Sequence, residues 1–86
     1  MKIPRKLKIG AHNYTIKEID GIIESGNRNS EHRHSILLNK RLCQTEKETT
    51  LFHEILHAIN NELNETDVEF LTQALYQVLK DNNLLR

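Results

Sequence analysis

The stretch TLFHEILHAI, residues 50–59, places His53 and His57 four positions apart, with Glu54 directly after the first histidine. A helix turns by about 100° per residue, so residues four apart lie on one face, one turn from each other. The apolar side chains of the stretch fall on an arc of about 140° of that helix, and both histidines fall outside the arc. The stretch therefore predicts a helix that packs one face into a core and presents the two histidines on another.

This spacing is suited to chelating a metal ion. Side chains at positions i and i+4 have Cβ atoms about 5–6 Å apart, so two imidazole nitrogens can reach one zinc ion at about 2.0–2.1 Å each. Glu54 points about 100° away from His53, so its carboxylate is better placed to take a proton from a zinc-activated water than to be a third ligand. Two exposed histidines on a solvated face are the alternative, since so short a motif also arises by chance.

The sequence around this stretch and after it is helical in pattern. A threonine followed three residues later by a glutamate matches a capping box, which begins a helix. Residues 44–86 have two such pairs, Thr45 with Glu48 and Thr66 with Glu69. They predict one helix over about residues 46–62 and a second over about residues 67–80. The predicted apolar face of the second helix consists of Leu71, Ala74, Leu75, Val78 and Leu79.

Residues 1–43 instead show the alternation of a β-sheet. Apolar and polar residues alternate in KLKIG and again in YTIKEI, with a plausible turn between them, which predicts a β-hairpin. HRHSILLN, residues 32–39, predicts a third strand after a Gly-, Asn- and Ser-rich loop at residues 25–31. We therefore expect one domain of 86 residues with an α+β fold, in which a three-stranded antiparallel sheet in residues 1–43 is followed by two packed helices in residues 44–86.

Composition narrows the class of protein. The net charge is zero, although residues 1–41 carry 9 Lys/Arg against 4 Asp/Glu and residues 42–86 carry 3 against 8. This asymmetry could mark a basic patch for nucleic acid, but 5% aromatic residues and no tryptophan leave few platforms for stacking bases. Cys43 is the only cysteine, which excludes an intrachain disulfide and suits a reducing compartment. With neither a signal peptide nor an apolar run of about 18 residues, we expect a cytoplasmic protein with no membrane partner.

A catalytic zinc ion usually takes three protein ligands, and the two histidines supply only two of them. No further histidine follows them in the chain. The nearest acidic residues that follow are Glu62, Glu65, Asp67 and Glu69. Glu62 falls on the apolar face of the first predicted helix, and Glu65 falls in the predicted connection. Glu69 falls on a flank of the second helix that can face the histidines, and its alternative role is to complete the cap with Thr66.

The chain resembles the minigluzincins, which are very small zinc metallopeptidases of the gluzincin type, and related short phage and bacterial proteins with ImmA/IrrE-like peptidase domains. TLFHEILHAI is similar to the active-site helix of these proteins, and ETDVEFLTQALYQVLKDN is similar to their glutamate helix. KLKIGAHNYTIKEI and HSILLNKRL resemble the strands of their sheet. The resemblance implies a minimal zincin-like core that binds one Zn²⁺ through His53, His57 and Glu69, with Glu54 as general base.

The resemblance also implies how a substrate is held. The edge strand of the sheet would border the cleft and bind an extended peptide through backbone hydrogen bonds. In this chain that strand contains Ser35, Ile36, Leu37 and Leu38. Tyr76, two turns after Glu69 on the same face, is the candidate donor of a hydrogen bond to the oxyanion. Its alternative role is that of an amphipathic residue at the edge of the core.

Two functions are consistent with these patterns. The first is a zinc-dependent metallopeptidase that hydrolyses a peptide or protein substrate, with Glu54 as general base. The second is a non-catalytic, zinc-stabilised module that binds a protein or nucleic-acid partner. A structural zinc site has no need of a carboxylate next to its first ligand, so Glu54 favours the enzyme. The sequence leaves the substrate and the oligomeric state open.

Overall fold

The computed structural model describes residues 1–20 and 34–85, which form a sheet followed by a helical hairpin. The elements are β1 (Lys6–Ile9), β2 (His12–Ile19), β3 (Ser35–Asn39), α1 (Gln44–Ile59) and α2 (Glu65–Asp81). The predicted α+β class is confirmed. The predicted loop at residues 25–31 and the first two positions of the predicted third strand lie outside the described residues. No helix in the described ranges is long and apolar enough to cross a bilayer.

The β1–β2 hairpin has the predicted antiparallel pairing. Ile9 pairs with His12 at the end of the hairpin, on either side of a tight turn. Gly10 has a φ of 61° in this turn, a left-handed conformation that glycine adopts without the steric cost of a Cβ. The alternation in KLKI leaves its lysines in solvent and places Leu7 and Ile9 against the core.

Strand β3 runs parallel to β2, so the prediction of an all-antiparallel sheet is wrong at this strand. Ile16 pairs with Ile36 and Ile19 with Asn39, in a sheet of order β1-β2-β3. Alternation of apolar residues predicts which face of a strand is buried, but it carries no information on strand direction. Direction depends on the connection, and the stretch from residue 20 to residue 34 is long enough for the crossover of about a dozen residues that a parallel pair requires.

The core lies between the sheet and α1. Ile16, Ile36, Leu38 and Leu51 form its buried cluster, and the last two are 0% and 1% exposed. The partly buried residues packed around this cluster are Met1, Ile3, Leu7, Ile9, Tyr14 and Ile55. Because Leu51 and Ile55 hold one face of α1 in the core, the histidines of the same helix are directed to another face, as the helical wheel predicts.

Both helices begin two residues earlier than predicted, because other residues cap them. Cys43 precedes α1, and its backbone N–H donates to Glu46 Oε1 at 3.4 Å. Asn64 precedes α2, and its side-chain oxygen accepts a hydrogen bond from the Asp67 N–H at 2.8 Å. The two predicted capping boxes are therefore wrong, and their glutamates make other contacts.

Helix α2 packs through a different face from the predicted one. Its buried residues are spaced four apart and are Val68, Thr72 and Tyr76. On the predicted apolar face, Leu71, Leu75 and Val78 are 42%, 42% and 46% exposed. A helical wheel ranks faces by hydrophobicity alone, whereas the buried face here includes a tyrosine whose hydroxyl bonds to α1. The face of α2 that is buried is therefore the less apolar one, and it makes this specific polar contact with α1.

Candidate metal centre

His53 and His57 lie one turn apart on α1 with their rings in contact. Their Nε2 atoms are 3.2 Å apart, and the ring centroids are separated by 4.8 Å. The two side chains are 19% and 21% exposed, so neither is a freely solvated surface histidine. The helix thus brings two imidazole nitrogens to one point, as the i, i+4 spacing predicts.

Glu65 supplies a carboxylate at this point from the first residue of α2. Its Oε1 lies 2.6 Å from His57 Nε2, and its Oε2 lies 3.2 Å from His53 Nε2. One ligand atom from each of the three side chains lies within 4.8 Å of the others, and this group could hold a metal ion. The sequence pattern places Glu65 in the connection, because the predicted start of the second helix is two residues too late.

The spacing of these atoms suits a tetrahedral ion. Ligand atoms about 2.0–2.1 Å from such an ion lie about 3.3 Å from one another. The Nε2–Nε2 separation and the distance from His53 Nε2 to Glu65 Oε2, both 3.2 Å, match that value. The 2.6 Å contact between His57 Nε2 and Glu65 Oε1 has the length of a hydrogen bond. The two-nitrogen, one-oxygen donor set is one that zinc accepts, so the residues fit the metal that the sequence predicts.

Glu69, the predicted third ligand, lies one turn further along α2 and contacts the opposite side of the His53 ring. Its Oε2 is 3.3 Å from His53 Nδ1, and its Oε1 accepts a hydrogen bond from Gln73 Nε2 at 3.1 Å. A carboxylate on the second nitrogen of a metal-binding histidine fixes the tautomer and the ring orientation. The geometry therefore brings Glu69 to the site, and its role as a direct ligand stays a prediction.

Glu54, the predicted general base, lies in the same turn of α1 as His53 and is half-buried. It belongs to the helix that fixes both histidines, so its backbone is positioned with them. Its role as general base stays a prediction.

Tyr76, the predicted oxyanion donor, is buried in the interface between the two helices. Its ring lies 6.0 Å from that of Phe52, and it is 7% exposed. Its hydroxyl donates to Glu48 Oε1 at 2.7 Å and accepts from Lys80 Nζ at 3.3 Å. This arrangement matches the alternative role of a residue at the core edge, and the oxyanion role stays a prediction that these contacts do not support.

Glu48 lies at the centre of a buried network of hydrogen bonds that the sequence pattern does not predict. It is 4% exposed and accepts hydrogen bonds from the Met1 amino group at 2.8 Å, from Gln44 Nε2 at 2.9 Å and from Tyr76. Burial alone would raise the pKa of this carboxyl, but these three hydrogen bonds and the charge of the amino group outweigh it and lower the pKa to about 2. The sequence pattern does indicate that Glu48 is buried, because on a helical wheel it falls on the same apolar arc as Leu51.

The predicted peptide-binding strand is an edge of the three-stranded sheet, and its side chains alternate between core and surface. Ile36 and Leu38 are 4% and 0% exposed, so their side chains belong to the core. Ser35 and Leu37 are half-buried on the other face. Among the described strands β3 pairs with β2 alone. Binding of a peptide at Ser35–Leu38 stays a prediction, and it would rest on the backbone of this strand.

A polar pocket of about 270 Å³ lies between α1 and α2, next to the metal centre. Its lining residues are Thr49, Thr50, His53, Glu69, Thr72 and Gln73. Thr72 is 1% exposed, and its hydroxyl has no hydrogen-bond partner within the described part of the chain. A buried hydroxyl left without a partner costs about 1–3 kcal/mol. A residue that lines the pocket thus carries a buried hydroxyl with no partner in the described part of the chain.

Two histidines of the HEILH stretch on α1 thus meet a glutamate of α2, and two histidines with one glutamate are a ligand set that zinc peptidases use. The family model described as the IrrE N-terminal-like domain, peptidase family M78, matches residues 11–81. The chain therefore belongs to this family, and the resemblance to ImmA/IrrE-like peptidase domains is confirmed. No curated protein and no solved structure matches the chain significantly.

Proposed function

We propose that the protein is a zinc-dependent metallopeptidase in which His53, His57 and Glu65 bind one zinc ion. The observation that carries the proposal is the convergence of two Nε2 atoms and one carboxylate from two helices, in a chain of a peptidase family. A bound zinc ion supplies a Lewis acid and lowers the pKa of a coordinated water to about 7. The remaining chemistry belongs to side chains of this protein.

Glu65 is the better third ligand in this proposal, and Glu69 is a positioning residue. The carboxylate of Glu65 reaches the Nε2 atoms of both histidines, whereas that of Glu69 reaches His53 Nδ1. A neutral imidazole that binds metal through Nε2 carries its proton on Nδ1 and can donate it to a carboxylate. Glu69 therefore fixes the orientation and the tautomer of the His53 ring.

Glu54 is the general base. A carboxylate next to the first ligand accepts a proton from the attacking water and then delivers it to the amine that leaves. The same carboxylate has no evident use in a purely structural zinc site, which supports an enzyme over a non-catalytic module.

Substrate peptides in this proposal lie along β3. The strand has one strand partner among the described elements, and α1, which carries both histidines, packs against it. Backbone groups of an edge strand bind an extended peptide independently of its sequence. The backbone of Ser35–Leu38 would then hold the peptide, while other parts of the cleft select side chains.

The test combines zinc content with hydrolysis. Wild-type protein and Glu54→Gln are expected to bind one zinc per chain with similar affinity. A mixture of denatured proteins and random-sequence peptides serves as substrate, since the sequence preference is unknown, and new amino termini are quantified. Hydrolysis by wild type that Glu54→Gln abolishes supports the proposal. One zinc per chain with no hydrolysis by either protein supports the non-catalytic binding module, and full activity of Glu54→Gln overturns the role of Glu54.

A further inference from the structure

We propose that the polar pocket between α1 and α2 is a subsite for a cationic group of the substrate, an ammonium or a guanidinium. The inference rests on the proposed peptidase function and assigns it a substrate class. The pocket shares His53 with the metal centre, and Glu69 contacts that histidine from the pocket side. A peptide bond held at the metal would therefore have a neighbouring group of the same peptide within reach of the pocket.

The lining of the pocket favours a ligand that donates hydrogen bonds. Its lining residues include Glu69, which carries a carboxylate, and the threonines Thr49, Thr50 and Thr72. No lysine or arginine of residues 1–20 and 34–85 lines it. The Thr49 hydroxyl donates its proton to the Glu46 carbonyl oxygen at 3.2 Å, which leaves its lone pairs as acceptors. The negative charge of Glu69 and most of the other lining groups thus suit a ligand that is positively charged and donates hydrogen bonds.

The environment of Thr72 indicates that the pocket binds a ligand and is not simply a groove filled by solvent. Its side chain is 1% exposed and lines the pocket, and its hydroxyl has no partner among residues 1–20 and 34–85. A helical threonine commonly bonds to the backbone carbonyl three or four residues earlier, and this one does not. A ligand with several N–H groups would satisfy Thr72 and Glu69 together.

The size of the pocket fits one long side chain. A volume of about 270 Å³ corresponds to the liquid volume of roughly nine waters, at about 30 Å³ each. It lies just below the range of about 300–1,000 Å³ typical of sites for whole small molecules. An extended lysine or arginine side chain is a better match than a free metabolite.

The experiment compares matched peptides on the zinc-loaded protein. Peptides that are cleaved are resynthesised with lysine, arginine, methionine or citrulline at each position next to the scissile bond. Wild type is expected to have a kcat/KM at least tenfold higher for the basic member at one position. Thr72→Val keeps the shape of the side chain, removes the hydroxyl and is expected to reduce that preference at least fivefold. Thr45→Val, an exposed threonine outside the pocket, is the matched control and is expected to leave it unchanged.

Further peptides distinguish the two sources of a cationic group. Each peptide is tested with a free and with an acetylated amino terminus, and a preference that survives acetylation assigns the pocket to a side chain. A preference that depends on the free terminus assigns it to an α-ammonium. Equal rates for lysine, arginine and methionine peptides with either terminus overturn the proposal, as does a basic preference that Thr72→Val does not alter. Thr72→Ser and thermal unfolding by circular dichroism show whether any loss reflects misfolding.

A binding measurement separates failure of the subsite from failure of the peptidase. N-acetyl-lysine methylamide and its norleucine analogue are titrated into zinc-loaded Glu54→Gln while the NMR signals of Thr72 are followed. Shifts induced by the lysine compound alone support the cationic pocket even if no peptide is hydrolysed, in which case only the peptidase proposal fails. If peptides are hydrolysed without a preference for basic residues and both compounds induce identical shifts, the peptidase proposal is supported and the proposal of a cationic subsite is overturned.

Discussion

His57 Nε2 lies 2.6 Å from Glu65 Oε1, across the connection between the two helices. Glu65 is the first residue of α2, and Asn64 caps the helix directly before it. The cap therefore fixes which carboxylate meets the histidines, because it determines where the helix begins. Had α2 begun at residue 67, as its sequence pattern predicts, Glu65 would lie in a loop and Glu69 would be the first acidic side chain able to face α1 on the required flank.

Glu65→Ala is predicted to weaken zinc binding more than Glu69→Ala. The first substitution removes a ligand, whereas the second removes a carboxylate that orients His53, and loss of such a partner typically costs about 10–100-fold in affinity. Competition with a chromophoric chelator measures both, with Glu62→Ala, an exposed glutamate of the connection, as the control. If Glu69→Ala abolishes binding while Glu65→Ala has a small effect, Glu69 is the ligand, as the family resemblance implies.

Acid is predicted to destabilise the metal-free protein through Glu48. Its folded pKa of about 2 lies below the ordinary value of 4.5, so the unfolded chain binds more protons than the folded one between these two values. The stabilisation is fully present above about pH 4.5 and is lost as the pH falls towards 2, and a shift of this size corresponds to about 3 kcal/mol. Urea unfolding between pH 2.5 and 6 measures the dependence.

Glu48→Gln is the matched variant for this measurement, since it keeps the shape of the side chain but cannot titrate. It is expected to be less stable at neutral pH and to show a shallower decline below pH 4.5. Chelation of metal before each titration prevents protonation of the histidines from releasing zinc and adding a second pH dependence. An identical slope for wild type and Glu48→Gln would show that other carboxyls control acid unfolding.

Tyr76→Phe is predicted to lower stability and to leave turnover unchanged. The substitution removes a hydroxyl that donates to the buried Glu48 at 2.7 Å. The loss of a hydrogen bond to a charged group costs about 1.5–3 kcal/mol. Urea unfolding measures the stability, and kcat is measured well below the midpoint of thermal unfolding. A fall of a hundredfold in kcat with unchanged stability would instead identify Tyr76 as the oxyanion donor.

The element types and the histidine pair could be predicted because their signals are local. The period of the apolar residues predicts a helix for TLFHEILHAI and strands for KLKI and YTIKEI, and the i, i+4 spacing alone brings His53 and His57 together. These features depend on neighbours in sequence. They do not require knowledge of how the elements pack.

The features that sequence reasoning missed depend on contacts between distant residues. Nothing in the pattern of β3 indicates that it runs parallel to β2. The hydrophobicity of α2 does not reveal that Tyr76 meets Glu48, so the predicted face of that helix was the wrong one. The start of α2 is set by the Asn64 cap, whereas the predicted cap at Thr66 places Glu65 in the connection before the helix.

Removal of zinc is predicted to lower the thermal stability of the protein. A metal that binds the folded chain alone stabilises it by about 2.7 kcal/mol at a free concentration one hundred times the Kd. A domain of 86 residues with no disulfide has a small stability margin, so the shift in Tm should be several degrees. Thermal unfolding with and without a chelator measures it, and His53→Ala, which lacks one ligand, should respond weakly to the chelator. An equal response of wild type and His53→Ala would place the bound metal somewhere other than the site formed by α1 and α2.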